Sequence, residues 1–312
     1  MTVPEWDGRV DGDGPEHLRW HQIVQPYSRS SEPGACAFVG FASEAGVRRN
    51  KGRVGAAEGP AALRRALAPM ALSVPIDAVD AGTITVTDDL LEDGQRELGE
   101  TVATLLDAGH FPVVLGGGHE VAYGTFLGLD ASAMRAGARV GILNLDAHFD
   151  LRGDAVPSSG TPFRQILEGA RAAGTQVRYD VVGISQPSNT RALFDTADRL
   201  GVRYLLDDDC GVTDFDGVRE FVDSFLADVD LVYLTIDLDV LPASVAPGVS
   251  APAAFGVPLA TIASVCDQVA ASGKLVVFDV AELNPTLDID ARTARTAARL
   301  IHPLITRRRP IR

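Results

Sequence analysis

Short apolar runs recur along the chain, each closed off by glycine, proline or charged residues. Cys36–Ala42 (CAFVGFA), Pro112–Leu115, Val140–Leu145, Tyr179–Ile184, Arg203–Leu206, Leu231–Ile236 and Leu275–Val280 read as strands, with Pro75–Val79 a weaker one. Most are apolar at nearly every position, not at alternate ones, which marks strands buried on both faces of a parallel sheet. Helical segments stand between them. Pro60 suits the first turn of a helix running to about Met70. Asp88–Asp107 has an acidic start, Leu/Val spacing and a trailing Gly109. Further helices are expected from Glu120, Pro162, Asn189, Leu259 and Asp290, and over Val218–Ala227. The alternation predicts an α/β fold: one mostly parallel sheet of about eight strands, covered by helices on both faces. With no repeat and no low-complexity linker, residues 1–312 are expected to form one domain. Residues 1–33, polar and rich in Gly and Pro with Trp6, Trp20 and His21 as anchors, are expected to be an irregular arm.

In such sheets ligands bind beyond the carboxyl ends of the strands, and there the polar residues gather. Val140–Leu145 opens into Asp146, His148 and Asp150 at alternate positions, which share one face of an extended segment. Leu231–Ile236 leads into Asp237 and Asp239, and Pro112–Leu115 leads through three glycines to His119 and Glu120. Carboxylates packed at strand ends are costly unless cations neutralise them. The four charges of Asp146, Asp150, Asp237 and Asp239 match two divalent cations, with neutral His119 and His148 as further ligands. Oxygen and imidazole donors without thiolate suit manganese ahead of iron, cobalt or zinc. Two such ions roughly 3.5–4 Å apart share a hydroxide that is nucleophilic at neutral pH. Each motif also has a plainer reading. Asp-x-His-x-Asp alone could be a capped turn. The glycine run could cradle phosphate, although no Lys-Ser/Thr follows it.

Asp279 and Glu282, in VVFDVAELNP, read either as a helix cap and a surface acid or as carboxylates facing the metals, able to hold an amidine or guanidinium. Arg152 and the loop arginines Arg48, Arg49 and Arg53 are candidates for substrate carboxylates, with at least two of the four expected to be merely solvated. A net charge of −14 argues against nucleic acid as a partner, despite the basic terminal RRRPIR. The N-terminus lacks an apolar signal core and no stretch reaches ~18 apolar residues, so a soluble, cytoplasmic protein without membrane contact is expected. Cys36, Cys210 and Cys266 are scattered singly, which suits free thiols in a reducing compartment.

Six motifs, EGP (Glu58–Pro60), GGGHE, NLDAHFD, SGTPF (Ser159–Phe163), IDLDVL (Ile236–Leu241) and FDVAELNP, together span nearly the whole chain. In this order they resemble the arginase–agmatinase–formimidoylglutamase family of ureohydrolases. The resemblance implies a three-layer α/β/α fold with two Mn2+ per subunit. By motif position, His119 and Asp150 would bind one ion, His148 and Asp239 the other, and Asp146 and Asp237 would bridge them. Asp150 would also handle the proton of the bridging hydroxide.

Three details resemble the formimidoylglutamase branch. Ser159 stands where arginases and agmatinases carry the histidine of an HG motif. Arg152 follows the NLDAHFD ligands, where arginases carry a smaller polar residue. Signature-like residues occur at Trp6, Gly8, Arg9, Asp11, Arg19–Gln22 and in Gln186-x-Ser188-Asn189-Thr190. The implied reaction is hydrolysis of N-formimidoyl-L-glutamate to L-glutamate and formamide, a step of histidine degradation. Glu282 would orient the amidine, Arg152 a carboxylate, and Ser159, Asn189 and Arg48 would complete the pocket for a small anionic amidine. A homo-oligomer, trimer or hexamer, is implied as well. The alternatives are an agmatinase- or guanidinobutyrase-type ureohydrolase, a non-catalytic metal-binding protein on the same fold, and, from the metals alone, a phosphoesterase.

Overall fold

The computed structural model describes residues 6–311; the first five residues of the expected arm and Arg312 of the basic tail lie outside them. The strands are β1 (Val24–Pro26), β2 (Cys36–Ala42), β3 (Ala78–Thr85), β4 (Phe111–Leu115), β5 (Val140–Leu145), β6 (Val177–Ile184), β7 (Arg203–Leu206), β8 (Leu231–Asp237) and β9 (Leu275–Ala281). They form one sheet in the order β1-β3-β2-β4-β9-β8-β5-β6-β7. Every neighbouring pair is parallel. The apolar runs explain the centre: β4, β9, β8 and β5 are buried at every position. These four adjacent strands are also the ones whose carboxyl ends carry His119, Glu282, Asp237 and Asp146.

Side chains alternate to the two faces of the sheet and build two separate cores. Leu143, Leu145, Val232, Leu234 and Phe278 pack with Leu63, Val222, Ile262 and Ile301 of helices Gly59–Leu67, Phe215–Ala227, Leu259–Ala271 and Arg292–Thr306. Ile142, Val114, Val181 and Tyr233 pack with Leu98, Phe126, Ile166 and Ala197 of helices Leu91–Asp107, Val121–Ala131, Pro162–Ala172 and Arg191–Leu200 on the other side. The result is the three-layer α/β/α arrangement. Among the described residues no helix is long and apolar enough to cross a membrane.

Four details differ from the sequence reading. The arm is not wholly irregular: Val24–Pro26 pairs with Ala78–Asp80 and supplies a ninth strand. The weak strand lies at Ala78–Thr85, not Pro75–Val79. Its interior holds Asp80, which accepts from Arg64 Nε and Nη2 at 2.7 and 2.9 Å and from Trp6 Nε1 at 2.7 Å. A strand that buries an ion pair is invisible to a reading that looks for apolar runs. Two helices start later than expected, at Leu91 and Arg292, because Asp88, Asp290 and Ala291 are left-handed, with φ of 55°, 52° and 50°. The glycine- and arginine-rich loop after β2 begins with one short helix, Ala45–Arg49.

Candidate metal centre

The two aspartate motifs are built alike. Asp146 follows the last residue of β5 and accepts the backbone N–H of His148 at 2.6 Å; Asp237 ends β8 and accepts that of Asp239 at 2.8 Å. Each carboxylate thus turns the chain back two residues on, a bond characteristic of Asx turns. The side chains converge through these turns and not through strand alternation, which corrects the extended geometry expected for Asp146 to Asp150. Asp150 itself is left-handed, with φ 48°.

His119 arrives through the glycine run after β4. Gly116 donates to Val280 O at 2.8 Å and Gly118 to Ser43 O at 3.0 Å, while a Cβ on Gly117 would collide with the Ser43 carbonyl. Glu282, left-handed at φ 68°, donates its N–H to Gly117 O and accepts that of His119 on Oε1 at 2.9 Å. Left-handed backbone at two non-glycine residues of one site costs on the order of 1–3 kcal/mol each, a strain found mostly where function requires it.

His119 Nδ1 lies 3.1, 3.0 and 3.1 Å from carboxylate oxygens of Asp146, Asp150 and Asp237. His148 Nδ1 lies 3.0 Å from Asp239 Oδ2 and 3.6 Å from Asp146 Oδ1. One ring nitrogen cannot hydrogen-bond three oxygens, and the buried Nδ1 of His119 makes no properly directed hydrogen bond. Its other nitrogen, Nε2, sits 2.9 Å from Thr235 Oγ1, which leaves Nδ1 free as a lone-pair donor. A nitrogen ringed by three carboxylate oxygens fits a divalent cation. His119, Asp146, Asp150 and Asp237 can offer one ligand atom each to a first ion, and Asp146, His148 and Asp239 to a second. Asp146 belongs to both groups. Asp237 belongs to the first and, like Asp146, also accepts a backbone N–H on one oxygen, that of Asp239.

Burial lowers the pKa of His119, but Asp146, Asp150 and Asp237 outweigh it and raise it well above the ordinary value. His148 rises likewise, pulled down by burial and up by Asp239 and Asp146. Burial and then Asp146 push Asp150 up to about 6; burial and then Glu120 push Glu282 up to about 8. Burial, then Asp239 and Asp146, lift Asp237 well above the ordinary carboxylate range. Only Asp146 moves down, because the two imidazoles outweigh its burial.

In an unfolded chain carboxyls titrate near ~4. Asp150 and Glu282 therefore stabilise the metal-free fold fully below about pH 4, and that contribution is lost as pH rises through about 6 and 8. The raised histidines act in the same sense; Asp146 acts in the opposite one, weakening the fold only as pH falls. Protein stripped with a chelator is expected to melt at a lower temperature near pH 8.5 than near pH 6, and manganese to remove most of the difference. A stripped protein whose melting temperature is flat or rises over that range would contradict this assignment of charges.

A family model described as the arginase family matches residues 35–306. The chain belongs to the arginase family. Formimidoylglutamase of Nocardia farcinica (strain IFM 10152) is 70% identical over 310 residues, covering 99% of this chain and 98% of that protein. Formimidoylglutamase of Rhodococcus opacus (strain B4) is 68% identical over 312 residues, covering 100% and 98%. Among solved structures, formimidoylglutamase from Bacillus subtilis subsp. subtilis str. 168 superposes with a TM-score of 0.80 at 22% identity, covering 91% of this chain and 90% of that one. Trypanosoma cruzi formiminoglutamase with Mn2+ superposes at 0.77 and 26% identity, covering 88% and 93%.

In this arginase-family chain the ligand groups open onto a cleft of about 210 Å³, lined also by Asn50, Arg152, Ser159, Asn189 and Glu282. Arg48 is not among its walls; it is exposed and paired with Glu44 at 2.9 Å, which corrects its expected role. Arg49 ties Asp89 and Glu92 to the Pro157 carbonyl, and Arg53 holds the carbonyls of Val249 and Ser250. Asn189 lines the cleft, but its amide is spent: Oδ1 accepts from Phe149 N, and Nδ2 donates to Ala147 O and Ser185 O. It positions the ligand loop and has no donor left for substrate. Asp279 is fully buried and accepts from the Tyr233 hydroxyl, turned away from the cleft.

The sequence reading gave no part to Thr235, Asn144 or Glu120. Asn144 Nδ2 donates to Asp146 Oδ2 at 2.9 Å. Thr235 and Asn144 each precede an aspartate by two residues on the same strand face, so the period-2 rule that singled out the ligands would also have found them. Glu120 is buried, accepts from Ser43 Oγ and Gly46 N, and raises Glu282; burial raises its own pKa.

Proposed function

We propose that this chain is a formimidoylglutamase, hydrolysing N-formimidoyl-L-glutamate to L-glutamate and formamide at a centre of two manganese ions. The observation that carries the reading is the polarity of one cleft, with buried acids at its floor and Arg152 at its wall. A substrate with an amidinium at one end and carboxylates at the other matches that gradient. The identities to proteins named formimidoylglutamase, 68–70% over essentially the full length, support the same choice.

His119, Asp146, Asp150 and Asp237 would hold one ion, and Asp146, His148 and Asp239 the other. When bound, the two ions would supply an activated hydroxide at neutral pH and Lewis-acid stabilisation of developing charge. The chain's own residues do the rest. Glu282 holds the His119 N–H through Oε1, and its carboxylate orients the amidine through charge-assisted hydrogen bonds. Asp150, whose carboxylate lines the cleft, would take the proton released by the nucleophile and pass it to the departing glutamate nitrogen. Arg152 fixes a substrate carboxylate. Ser159, 6% exposed, faces the cleft where other branches carry histidine, and positions substrate without itself titrating. The same reading makes the protein a single-domain cytoplasmic enzyme of histidine degradation, acting as a trimer or hexamer.

An agmatinase-type activity is the second reading, since its guanidino substrate would meet the same acids. Arg152 opposes it, because agmatine has no carboxylate for a cation to grip. With manganese-loaded protein, formamide release from N-formimidoyl-L-glutamate is expected to exceed urea release from agmatine or arginine by more than about 100-fold in kcat/KM. Urea as the main product would replace this reading with the second; no product from any of the three would favour a non-catalytic metal protein.

A further inference from the structure

We propose that Asn50 determines specificity for the dicarboxylate substrate, by building with Ser159 and Arg152 a subsite that takes its second carboxylate; this rests on the formimidoylglutamase reading above. The argument begins with a shortage of donors. The substrate brings two carboxylates, and Arg152 is the one cationic side chain lining the cleft apart from the ligand histidines. Among the described residues its guanidinium has no hydrogen-bond or ion-pair partner, so it is free to fork one carboxylate. The second carboxylate needs neutral donors. Asn189 has none to spare, since both its hydrogens go to backbone carbonyls. Ser188 and Ser250 also line the cleft with a hydroxyl each, Ser250 while accepting the Arg53 N–H.

Asn50 offers the remaining amide. Its Nδ2 reaches Ser159 Oγ at 3.2 Å, a long bond that uses one of two amide hydrogens. The two residues come from different loops, after β2 and after β5, and meet over Gly160. A Cβ there would lie 2.7 Å from Arg152 Cδ, 3.0 Å from Arg152 Nε and 3.1 Å from Asn50 Nδ2. Thus Nδ2 of Asn50, Oγ of Ser159 and the arginine stem crowd one patch of wall, and glycine keeps the space between them open.

Asn50 is also held from behind. Its backbone N–H closes the helix Ala45–Arg49 by donating to Gly46 O at 2.9 Å, and that helix hangs from buried Glu120 through the Gly46 N–H. A left-handed Lys51, φ 62°, follows it. An amide fixed at a helix end and aimed between a serine and an unpaired arginine is placed to read a carboxylate.

The test compares wild type with Asn50→Ala and Asn50→Asp on N-formimidoyl-L-glutamate and on two monocarboxylates, N-formimidoylglycine and 4-(formimidoylamino)butyrate. Asn50→Ala is expected to raise KM for the dicarboxylate about tenfold, with kcat changed far less, as for loss of one bond to a charged group. For the monocarboxylate that lacks the group read by Asn50, kcat/KM should stay within about twofold of wild type. Asn50→Asp should raise KM further, by repulsion, and weaken product inhibition by L-glutamate in parallel. Bound manganese and melting temperature are measured on each variant, so that a damaged centre is recognised, and Asn50→Gln replaces any variant that fails to fold. An unchanged KM, or equal losses on all three substrates, overturns the subsite while leaving the reaction standing. A wild type that releases no formamide overturns the reaction and the subsite with it.

Discussion

Asp146→Asn is expected to lower formamide release by more than about 100-fold, the upper end of what losing a mere supporting residue around a metal costs. The residue belongs to both ligand groups, so its loss weakens two sites at once. Asparagine is nearly the same size, and the effect therefore comes from charge and donor direction alone. Both carboxylate oxygens of Asp146 already accept hydrogen bonds, from Asn144 Nδ2 and from the His148 N–H. An amide NH2 at either position would face another donor and turn the pair apart. One negative charge would also be missing from the sum that balances two divalent cations. The check is manganese stoichiometry of the purified variant alongside its activity. Two tightly bound ions with near-normal turnover would remove Asp146 from the centre of this scheme.

The second large effect lies far from the chemistry. Arg64→Ala is expected to cost about 3–5 kcal/mol of stability, because it strands a carboxylate in the interior. Arg64 is 2% exposed and Asp80 4%, so water cannot take over the lost contacts. Arg64 spends its donors on Asp80, Thr83 Oγ1 and Gly82 O, and Asp80 also receives the Gly82 N–H and the Trp6 indole. One pair thereby ties helix Gly59–Leu67, β3 and the N-terminal arm together. Against a total stability of ~5–15 kcal/mol for an ordinary domain, that loss is a large fraction. Arg64→Lys should recover part of it, since an ammonium offers charge without the fork. Replacing both partners by apolar residues of similar volume should be milder than removing either one. Denaturant unfolding gives the numbers, and a loss below about 1 kcal/mol for Arg64→Ala would mean that solvent reaches the site.

The central strands and the groups at their ends were legible because one physical cause produces both. Strands buried on two faces leave no room for polar residues until they end, so the change from Leu145 to Asp146 marks an element boundary and a site together. What escaped the reading obeys other rules. Val24–Pro26 is too short to show periodicity, and β3 hides a buried ion pair in what reads as a polar segment. Asn189 and Arg48 were assigned to substrate because residue type shows which donors exist, not where they are spent; one feeds backbone carbonyls and the other a neighbouring glutamate.

The flanks of the sheet carry a consequence for how this molecule meets others. A row of free amides along an outermost strand is an invitation for a foreign chain to add itself, and each flank here withdraws it. On one side stands a stub of three residues ending in Pro26, which has no amide hydrogen to offer, beside a β3 that Gly82 bends out of line at φ 88°. On the other, β7 is four residues long, with the Arg203 guanidinium laid over the Phe221 ring at 4.8 Å. Lateral growth of the sheet is thus discouraged at both ends, which favours assembly through helices and loops.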